Sequence, residues 1–239
     1  MVSGRHSGDN AGMDIAQQAL LETVELETGP DPAWTVIWLH GLGADGNDFA
    51  PIVPELVRKD WPALRFVFPH AAVRPVSINN GMRMRAWYDI VGMDFPDRAD
   101  SAGVAESALQ IEALIAREQA RGIAANRILL AGFSQGGAMT LAVGLRRREP
   151  LAGLIVLSAY LPDANQAASV VQSAAVSQPV FMAHGSGDPV VPFSYGQRSA
   201  QALQALGFTV EWHDYPMAHQ VCAEEIRALG DWISQQFAL

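Results

Sequence analysis

Cysteine and lysine are nearly absent from this chain of 239 residues. Cys222 is the single cysteine, which excludes an internal disulfide framework, a CxxC metal site and a Cys-rich cluster. Lys59 is the single lysine, and arginine supplies the rest of the 16 basic side chains, against 25 acidic ones. The resulting formal charge of −9 argues against nucleic acid or an anionic membrane as a main partner.

Long apolar runs are also missing. The most apolar stretch, residues 151–161, is interrupted by Gly153 and Ser158, and its length fits a buried strand better than a membrane span. The first residues contain no apolar run of the kind found in a secretory leader. We therefore expect a cytoplasmic protein with no stable membrane insertion. Residues 1–20, small and polar at their start, are predicted to be a disordered extension, and residues 21–239 a single domain.

Apolar residues nevertheless make up 49% of the chain and charged residues 17%, which is enough for a sizeable core. Short apolar segments alternate with helical patterns, which predicts an α/β fold with a mostly parallel sheet and helices on both faces. The predicted strands are Thr35–Leu39, Arg65–Phe68, Arg127–Ala131, Gly153–Leu157, Pro179–Ala183 and Phe208–Trp212, with an added edge strand over Glu22–Thr28. The predicted helices are Val104–Arg121, Ala138–Arg148, Ser194–Leu206 and Val221–Phe237. Residues 70–101 show no clear helix or buried strand, and loops of this length are often functional.

The strongest chemical motif is Gly132-Phe-Ser134-Gln-Gly136, which follows a predicted strand and opens a helical pattern. Strand, sharp turn and helix form the context of a G-x-S-x-G nucleophile elbow. A serine on such a turn projects its Oγ above the sheet, and only residues without a side chain let strand and helix pass closely on either side of it. Ser134 is therefore the candidate nucleophile.

A serine hydroxyl needs a general base, usually a histidine oriented by a carboxylate, and one common chain order is Ser, Asp or Glu, His. His219 is the better candidate base because it follows a predicted strand and precedes the last helix, where sites collect in open α/β sheets. His184 precedes the best acid and His213 falls in or just after a strand, so both are expected to be structural.

The candidate acid is Asp188, which directly follows a predicted strand and lies between Ser134 and His219 in the chain. Asp163 also follows a strand and is the second candidate for this role. Asp214 is close to His219 in sequence but has no separate strand to place it.

The loop His40-Gly-Leu-Gly-Ala-Asp-Gly-Asn-Asp-Phe49 follows the first buried strand and resembles the His-Gly oxyanion loops of esterases. A developing oxyanion needs N–H donors, and those expected are the amide after the nucleophile, Gln135, and an amide of this loop, with Leu42 the best candidate. The glycine spacing matches neither G-x-G-x-x-G nor Walker A, so a nucleotide cofactor is not expected.

Five motifs, taken in order, resemble the phospholipase/carboxylesterase family of α/β-hydrolases, which includes acyl-protein thioesterases and small bacterial carboxylesterases. They are the His40–Phe49 loop, Ala86-Trp-Tyr-Asp89, Gly132-Phe-Ser-Gln-Gly-Gly137, His184-Gly-x-x-Asp188 and Tyr215-Pro-Met-Ala-His219. The resemblance implies Ser134, Asp188 and His219 as catalytic triad and the Leu42 and Gln135 amides as oxyanion hole. It implies ester or thioester hydrolysis through an acyl-enzyme with no metal and no cofactor, and it places Trp87 beside the substrate.

Only about twenty residues separate Leu157 from Pro179, so an inserted cap domain does not fit there. Without a cap domain, we expect an open site that is shaped by residues 70–101, Tyr160 and Leu161. Val190 is a further candidate substrate contact. Such a site suits small esters with short or medium acyl chains, and acyl thioesters and lysophospholipids are further candidate substrates.

Two other functions fit the same residues. The first is a catalytically silent ligand-binding protein on this fold, because fold does not imply function. The second is a serine peptidase or amidase, which uses the same triad, although nothing here resembles a peptide-recognition element. Apolar loop residues around Trp87 also leave a homodimer open.

Overall fold

The computed structural model describes residues 20–92 and 98–237. The predicted disordered extension over residues 1–20 lies outside this range except for Leu20, and the last two residues of the predicted domain lie outside it as well.

Nine strands and six helices make up the described chain. The strands are β1 (Thr23–Glu27), β2 (Trp34–Leu39), β3 (Leu64–Pro69), β4 (Val73–Val76), β5 (Met82–Arg85), β6 (Ile128–Phe133), β7 (Gly153–Leu157), β8 (Val180–Gly185) and β9 (Val210–Tyr215). The helices are α1 (Val53–Leu56), α2 (Ser101–Ala120), α3 (Gln135–Gly144), α4 (Ala167–Val170), α5 (Phe193–Ala205) and α6 (Ala223–Gln236). All six predicted buried strands and the predicted edge strand are confirmed, with bounds shifted by at most three residues at either end.

Seven of the strands form one sheet in the order β1-β3-β2-β6-β7-β8-β9. Only β1 runs antiparallel to its neighbour, so the sheet is mostly parallel as predicted. Because β2, β6, β8 and β9 run in the same direction, the loops that follow them meet at one edge of the sheet. These loops carry the predicted oxyanion loop and the three predicted triad residues.

The sheet is covered on both faces, as its strand sequences require. Successive side chains of β2 point to opposite faces. Ile37 and Leu39 pack in a core with α2, α3 and α5, whereas Val36 and Trp38 pack in a second core with α1 and α6. Strands buried on both faces are near-continuous apolar runs, which is why they could be recognised in the sequence.

Helix α3 begins earlier than predicted. The helical pattern indicated a start at Ala138, but the helix starts at Gln135, directly after Ser134. Gly136 and Gly137 disfavour helix by themselves. Glycine is nevertheless needed at positions 136 and 137, because α3 passes so close to neighbouring strands that no side chain fits there.

Residues 70–101 contain structure that the sequence did not predict. Strands β4 and β5 form an antiparallel hairpin in which Val76 pairs with Met82. The hairpin lacks a clear apolar alternation and contains Pro75, which explains why no strand was predicted there. It packs beside the predicted oxyanion loop, because the Gly43 N–H donates to the Arg85 carbonyl at 2.9 Å.

The connection between β7 and β8 carries no cap domain, as predicted. Residues 158–179 contain only the four-residue helix α4 and two short 3-10 turns. In the part of the chain described, no helix is both long and apolar enough to cross a bilayer.

Glu225 is buried in the first turn of α6 and makes stability depend on pH. Burial raises the pKa of its carboxyl from 4.5 to about 8, against a smaller opposing effect of a hydrogen bond with the Cys222 backbone. The folded state therefore favours the neutral acid. The stability that the neutral carboxyl of Glu225 contributes is fully present below pH 4.5 and is lost as the pH rises through about 8.

Glu225→Gln removes this titrating group. When the pH is raised from 5 to 9, we therefore expect the Tm of the wild type to fall by several degrees more than the Tm of the variant. One pKa unit corresponds to about 1.4 kcal/mol, and 1 kcal/mol shifts Tm by about 2–4 °C in a protein of this size. Calorimetry at both pH values checks this, with the exposed Glu224→Gln as control. A pH-independent Tm difference between wild type and Glu225→Gln would show that the buried acid does not titrate in this range.

Candidate active site

Ser134 lies on the sharp turn between β6 and α3. Its backbone has φ 55° and ψ −119°, a conformation that residues with a side chain rarely adopt. A Cβ atom at Gly132 would lie 2.3 Å from the Gly136 carbonyl, and one at Gly136 would lie 2.2 Å from the Leu39 carbonyl oxygen. Any side chain at Gly132 or Gly136 would therefore clash with the backbone. The strained turn places Ser134 at the carboxyl edge of the sheet.

Three side chains from different loops form one hydrogen-bonded chain. The Ser134 Oγ lies 2.9 Å from His219 Nε2, and His219 Nδ1 lies 2.6 Å from Asp188 Oδ2. The tautomer that satisfies both contacts has Nδ1–H donating to the carboxylate and Nε2 accepting from the serine hydroxyl. This arrangement can remove a proton from Ser134 while the imidazole stays oriented.

The carboxylate of Asp188 is held at both oxygens. Its Oδ1 accepts the backbone N–H groups of Val190 and Val191 at 2.8 and 2.9 Å. Burial opposes ionisation, but the hydrogen bonds from His219 and from these two amides outweigh it and lower the pKa of Asp188. The group therefore stays charged, which favours an adjacent imidazolium.

The alternative acids are not placed at His219. Asp163 lines a separate cavity between α2 and α3, together with Glu112 and Arg146. Asp214 is an exposed residue of β9. The structure brings only Asp188 of the three candidates within hydrogen-bond distance of the imidazole.

The other two late histidines have structural contacts. His213 pairs with Glu211 at 2.8 Å and stacks on Phe181. His184 is fully buried, its Nε2 donates to the Val191 carbonyl at 2.9 Å and lies 3.5 Å from Asp188 Oδ2. The position of His184 behind Asp188 was not predicted, because its neighbours come from the fold of the segment after β8.

The predicted oxyanion loop lies directly against the serine. A Cβ atom at Gly41 would be 3.5 Å from Ser134 Cβ. His40 fixes the loop through two hydrogen bonds. Its Nδ1–H donates to the Gly41 carbonyl at 2.7 Å, and its Nε2 accepts the Ala71 N–H at 3.1 Å. Burial lowers the pKa of His40 to about 4, so this ring is neutral and serves as a fixed brace.

Gln135 has two separate roles in the structure. Its backbone N–H is the first of α3, where no preceding helical carbonyl is available to accept it. Its side chain accepts the Trp87 N–H at 2.9 Å and donates to the Tyr88 carbonyl at 2.8 Å. The residue after the serine therefore also anchors the loop that contains Trp87.

The comparisons with known proteins agree on one family. The phospholipase/carboxylesterase family model matches residues 22–237. The chain belongs to the phospholipase/carboxylesterase family. Acyl-protein thioesterase 1 of Neurospora crassa is 39% identical over 211 residues, which cover 84% of this chain and 86% of that protein.

Solved structures extend the comparison to the fold. SOBER1 of Arabidopsis thaliana superposes with a TM-score of 0.79 at 31% identity, covering 85% of this chain and 99% of that one. Acyl-protein thioesterase 2 of Zea mays superposes with a TM-score of 0.78 at 27% identity, covering 90% and 98%. This member of the phospholipase/carboxylesterase family is a carboxylic ester hydrolase with an α/β-hydrolase fold.

Three of the four predicted substrate contacts are buried in this family member. Trp87 is fully buried, and its indole N–H donates to the His40 carbonyl at 2.9 Å. The Tyr160 hydroxyl accepts from Arg98 Nε at 3.1 Å, and the Leu161 N–H donates to Ser199 Oγ at 2.7 Å. The role of these three residues as substrate contacts stays a prediction, because their burial shows what the side chains pack against and not what a substrate touches.

Val190 is the exception among these four residues. Its side chain is 52% exposed, while its backbone N–H is held by Asp188. It therefore stays a candidate substrate contact at the rim of the site. Sequence reasoning missed the bracing contacts of Trp87, because an aromatic residue in a long loop gives no indication of what it packs against.

Proposed function

We propose that this protein is a serine carboxylesterase that hydrolyses short- to medium-chain carboxylic esters through Ser134, His219 and Asp188. The observation that carries the proposal is the hydrogen-bonded chain from Ser134 Oγ through His219 to Asp188, with contacts of 2.9 and 2.6 Å. Nucleophile, base and orienting carboxylate are thereby in reach of one another, as a serine hydrolase requires.

In the first half of the reaction, His219 Nε2 takes the hydroxyl proton while Ser134 Oγ attacks the ester carbonyl. The developing oxyanion is stabilised by the backbone N–H groups of Leu42 and Gln135, which lie in the loop beside the serine and at the start of α3. His219 then gives the proton to the departing alkoxide or thiolate, and the acyl group stays on Ser134.

In the second half, water replaces the leaving group. His219 takes a proton from the water, the resulting oxygen attacks the acyl-enzyme, and the same proton returns to Ser134 Oγ as the carboxylic acid leaves. Asp188 keeps the imidazole in the required tautomer and stabilises its positive charge in both halves.

The substrate range of the proposal follows from the architecture. No cap covers the carboxyl edge of the sheet between β7 and β8, so long acyl chains are not enclosed from that side. Acyl thioesters and lysophospholipids remain candidate substrates, and the names of the relatives from Neurospora crassa and Zea mays support thioesters. The cytoplasmic location and the homodimer stay predictions.

Hydrolysis of p-nitrophenyl esters from acetate to palmitate tests the proposal. We expect kcat/KM to be highest for short or medium acyl chains, because an open site contacts only the first carbons of the chain. Values that rise steadily toward palmitate would contradict the short-chain preference and indicate an enclosed acyl site. No Ser134-dependent turnover of any ester would favour the silent ligand-binding protein.

A further inference from the structure

A cavity of about 430 Å³ opens beside His219. Its walls come from residues 48–55, at the end of the His40–Phe49 loop and the start of α1, from Phe133 at the end of β6, and from residues 219–226, before and at the start of α6. It therefore lies between α1 and α6, on the opposite face of the sheet from α3.

The position of this cavity relates it to the departing group. His219 Nε2 protonates the leaving oxygen or sulfur, so that atom has to lie within hydrogen-bond reach of the imidazole. The group attached to it must then continue into space next to His219. The cavity supplies such space, because the imidazole forms part of its wall.

The apolar lining of the cavity combines the aromatic rings of Phe49 and Phe133 with the aliphatic residues Pro51, Ile52, Val221 and Ile226. Phe133 packs on the His219 ring with a centroid distance of 4.7 Å, and Phe49 packs on Phe133 at 5.4 Å. Such rings accept an apolar body, and their faces attract a cation through their quadrupole.

The charge at its rim has one sign. Asp48 and Glu55 line the cavity, and neither forms an ion pair with any residue in the described ranges. Partial burial and the neighbouring Asp45 raise the pKa of Asp48. The negative charge of the rim comes from the carboxylates of Asp48 and Glu55 themselves. No lysine or arginine is among the described residues that line this cavity.

We propose that this cavity is the leaving-group subsite and that it favours alcohols or thiols with a short apolar body and a positive charge. The inference rests on the proposed function, because it assigns the proton donor to His219. Aromatic rings provide the contact area, and Asp48 and Glu55 select for the cation.

Three thioesters with the same butanoyl group test the subsite. Their thiols are thiocholine, which is cationic, 2-mercaptoethanol, which is neutral, and 3-mercaptopropionate, which is anionic. Because kcat/KM reports the steps up to acylation, it depends on the leaving group even where deacylation limits kcat. Thiol release is followed at low ionic strength in wild type, in Asp48→Asn/Glu55→Gln, and in Asp60→Asn/Glu22→Gln.

The measured quantity is kcat/KM for the cationic thioester divided by kcat/KM for the anionic one. We expect this ratio to be about tenfold higher in the wild type than in Asp48→Asn/Glu55→Gln. Comparing one ratio with the other cancels the different intrinsic reactivities of the thiols. The control variant Asp60→Asn/Glu22→Gln makes the same change in net charge at exposed acids outside the cavity, and it should keep the wild-type ratio. Added salt should reduce the wild-type preference.

Equal ratios in wild type and Asp48→Asn/Glu55→Gln, with Ser134-dependent turnover intact, would overturn the subsite and leave the esterase proposal standing. An equal loss of preference in the control variant would also overturn it, because the effect would then come from the overall charge. Absence of Ser134-dependent turnover of p-nitrophenyl butyrate as well as of the three thioesters would instead refute the proposed function. Turnover of p-nitrophenyl butyrate without turnover of any of the three thioesters would overturn the subsite for thiols and leave the esterase proposal standing.

Discussion

Ser134→Ala should reduce ester turnover by roughly 10⁴- to 10⁶-fold, which is the scale at which removal of a serine nucleophile acts. The variant retains His219, Asp188 and the oxyanion donors, but no oxygen remains to form the acyl-enzyme. Turnover of p-nitrophenyl butyrate by wild type and variant measures the effect. Because the Oγ contributes little packing, we expect the Tm to change by only about 2–4 °C or less, which corresponds to about 1 kcal/mol.

A matched control separates the role of this serine from serine loss in general. Ser169 lies in α4, is exposed, and donates only to the Gln166 carbonyl, so Ser169→Ala should keep wild-type turnover. A fluorophosphonate should label the wild type at Ser134 and fail to label Ser134→Ala. Substantial turnover by Ser134→Ala would assign the chemistry to another nucleophile, and a large loss of Tm would contradict the nucleophile-elbow interpretation.

Asp188→Asn should lower kcat by roughly 10²- to 10⁴-fold with a much smaller effect on KM. The amide oxygen can still accept the N–H groups of Val190 and Val191, which bind Oδ1 in the wild type. The amide NH₂ then faces His219 Nδ1, which lies 2.6 Å from Oδ2 in the wild type. Since two donors cannot face each other, Nδ1 must become the acceptor and the proton moves to Nε2, where it blocks proton transfer from Ser134.

Asp163→Asn is the matched control for this prediction. Asp163 has φ 49°, a left-handed conformation that asparagine also tolerates, so the exchange should leave the backbone unchanged. It should keep kcat within about twofold, as surface substitutions away from a site do. Normal kcat in Asp188→Asn together with a large loss in Asp163→Asn would transfer the acid role to Asp163.

The candidate triad was predictable because each of its members depends on local sequence. Gly132 and Gly136 mark a turn whose sterics allow no side chain, and the preceding apolar run identifies the strand that places Ser134. Asp188 and His219 likewise follow apolar strands. In a parallel sheet the ends of such strands meet at one edge, so chain order and strand position were enough to name these residues before their distances were known.

The support of the site depends on contacts between distant segments, and these were not predictable. The side chain of Gln135 binds the backbone at Trp87 and Tyr88, and the His40 carbonyl binds the Trp87 indole. Each contact joins residues more than 40 positions apart. The sequence suggested Trp87 as a candidate substrate contact, and it could not show that the side chain is buried.

The sequence by itself determined the class of fold, the mostly parallel sheet, the absence of a cap, the candidate nucleophile and base, and a preference for Asp188 as the acid. These properties follow from local patterns: apolar runs that bury both faces of a strand, glycines at a close approach, and polar residues after strand ends. Only the tertiary structure decided that Asp188 and not Asp163 reaches His219, that Trp87, Tyr160 and Leu161 are buried, and that a cavity lined by Asp48 and Glu55 lies beside His219. The physical reason is that these features depend on how separate segments pack together, which no local pattern in the sequence specifies.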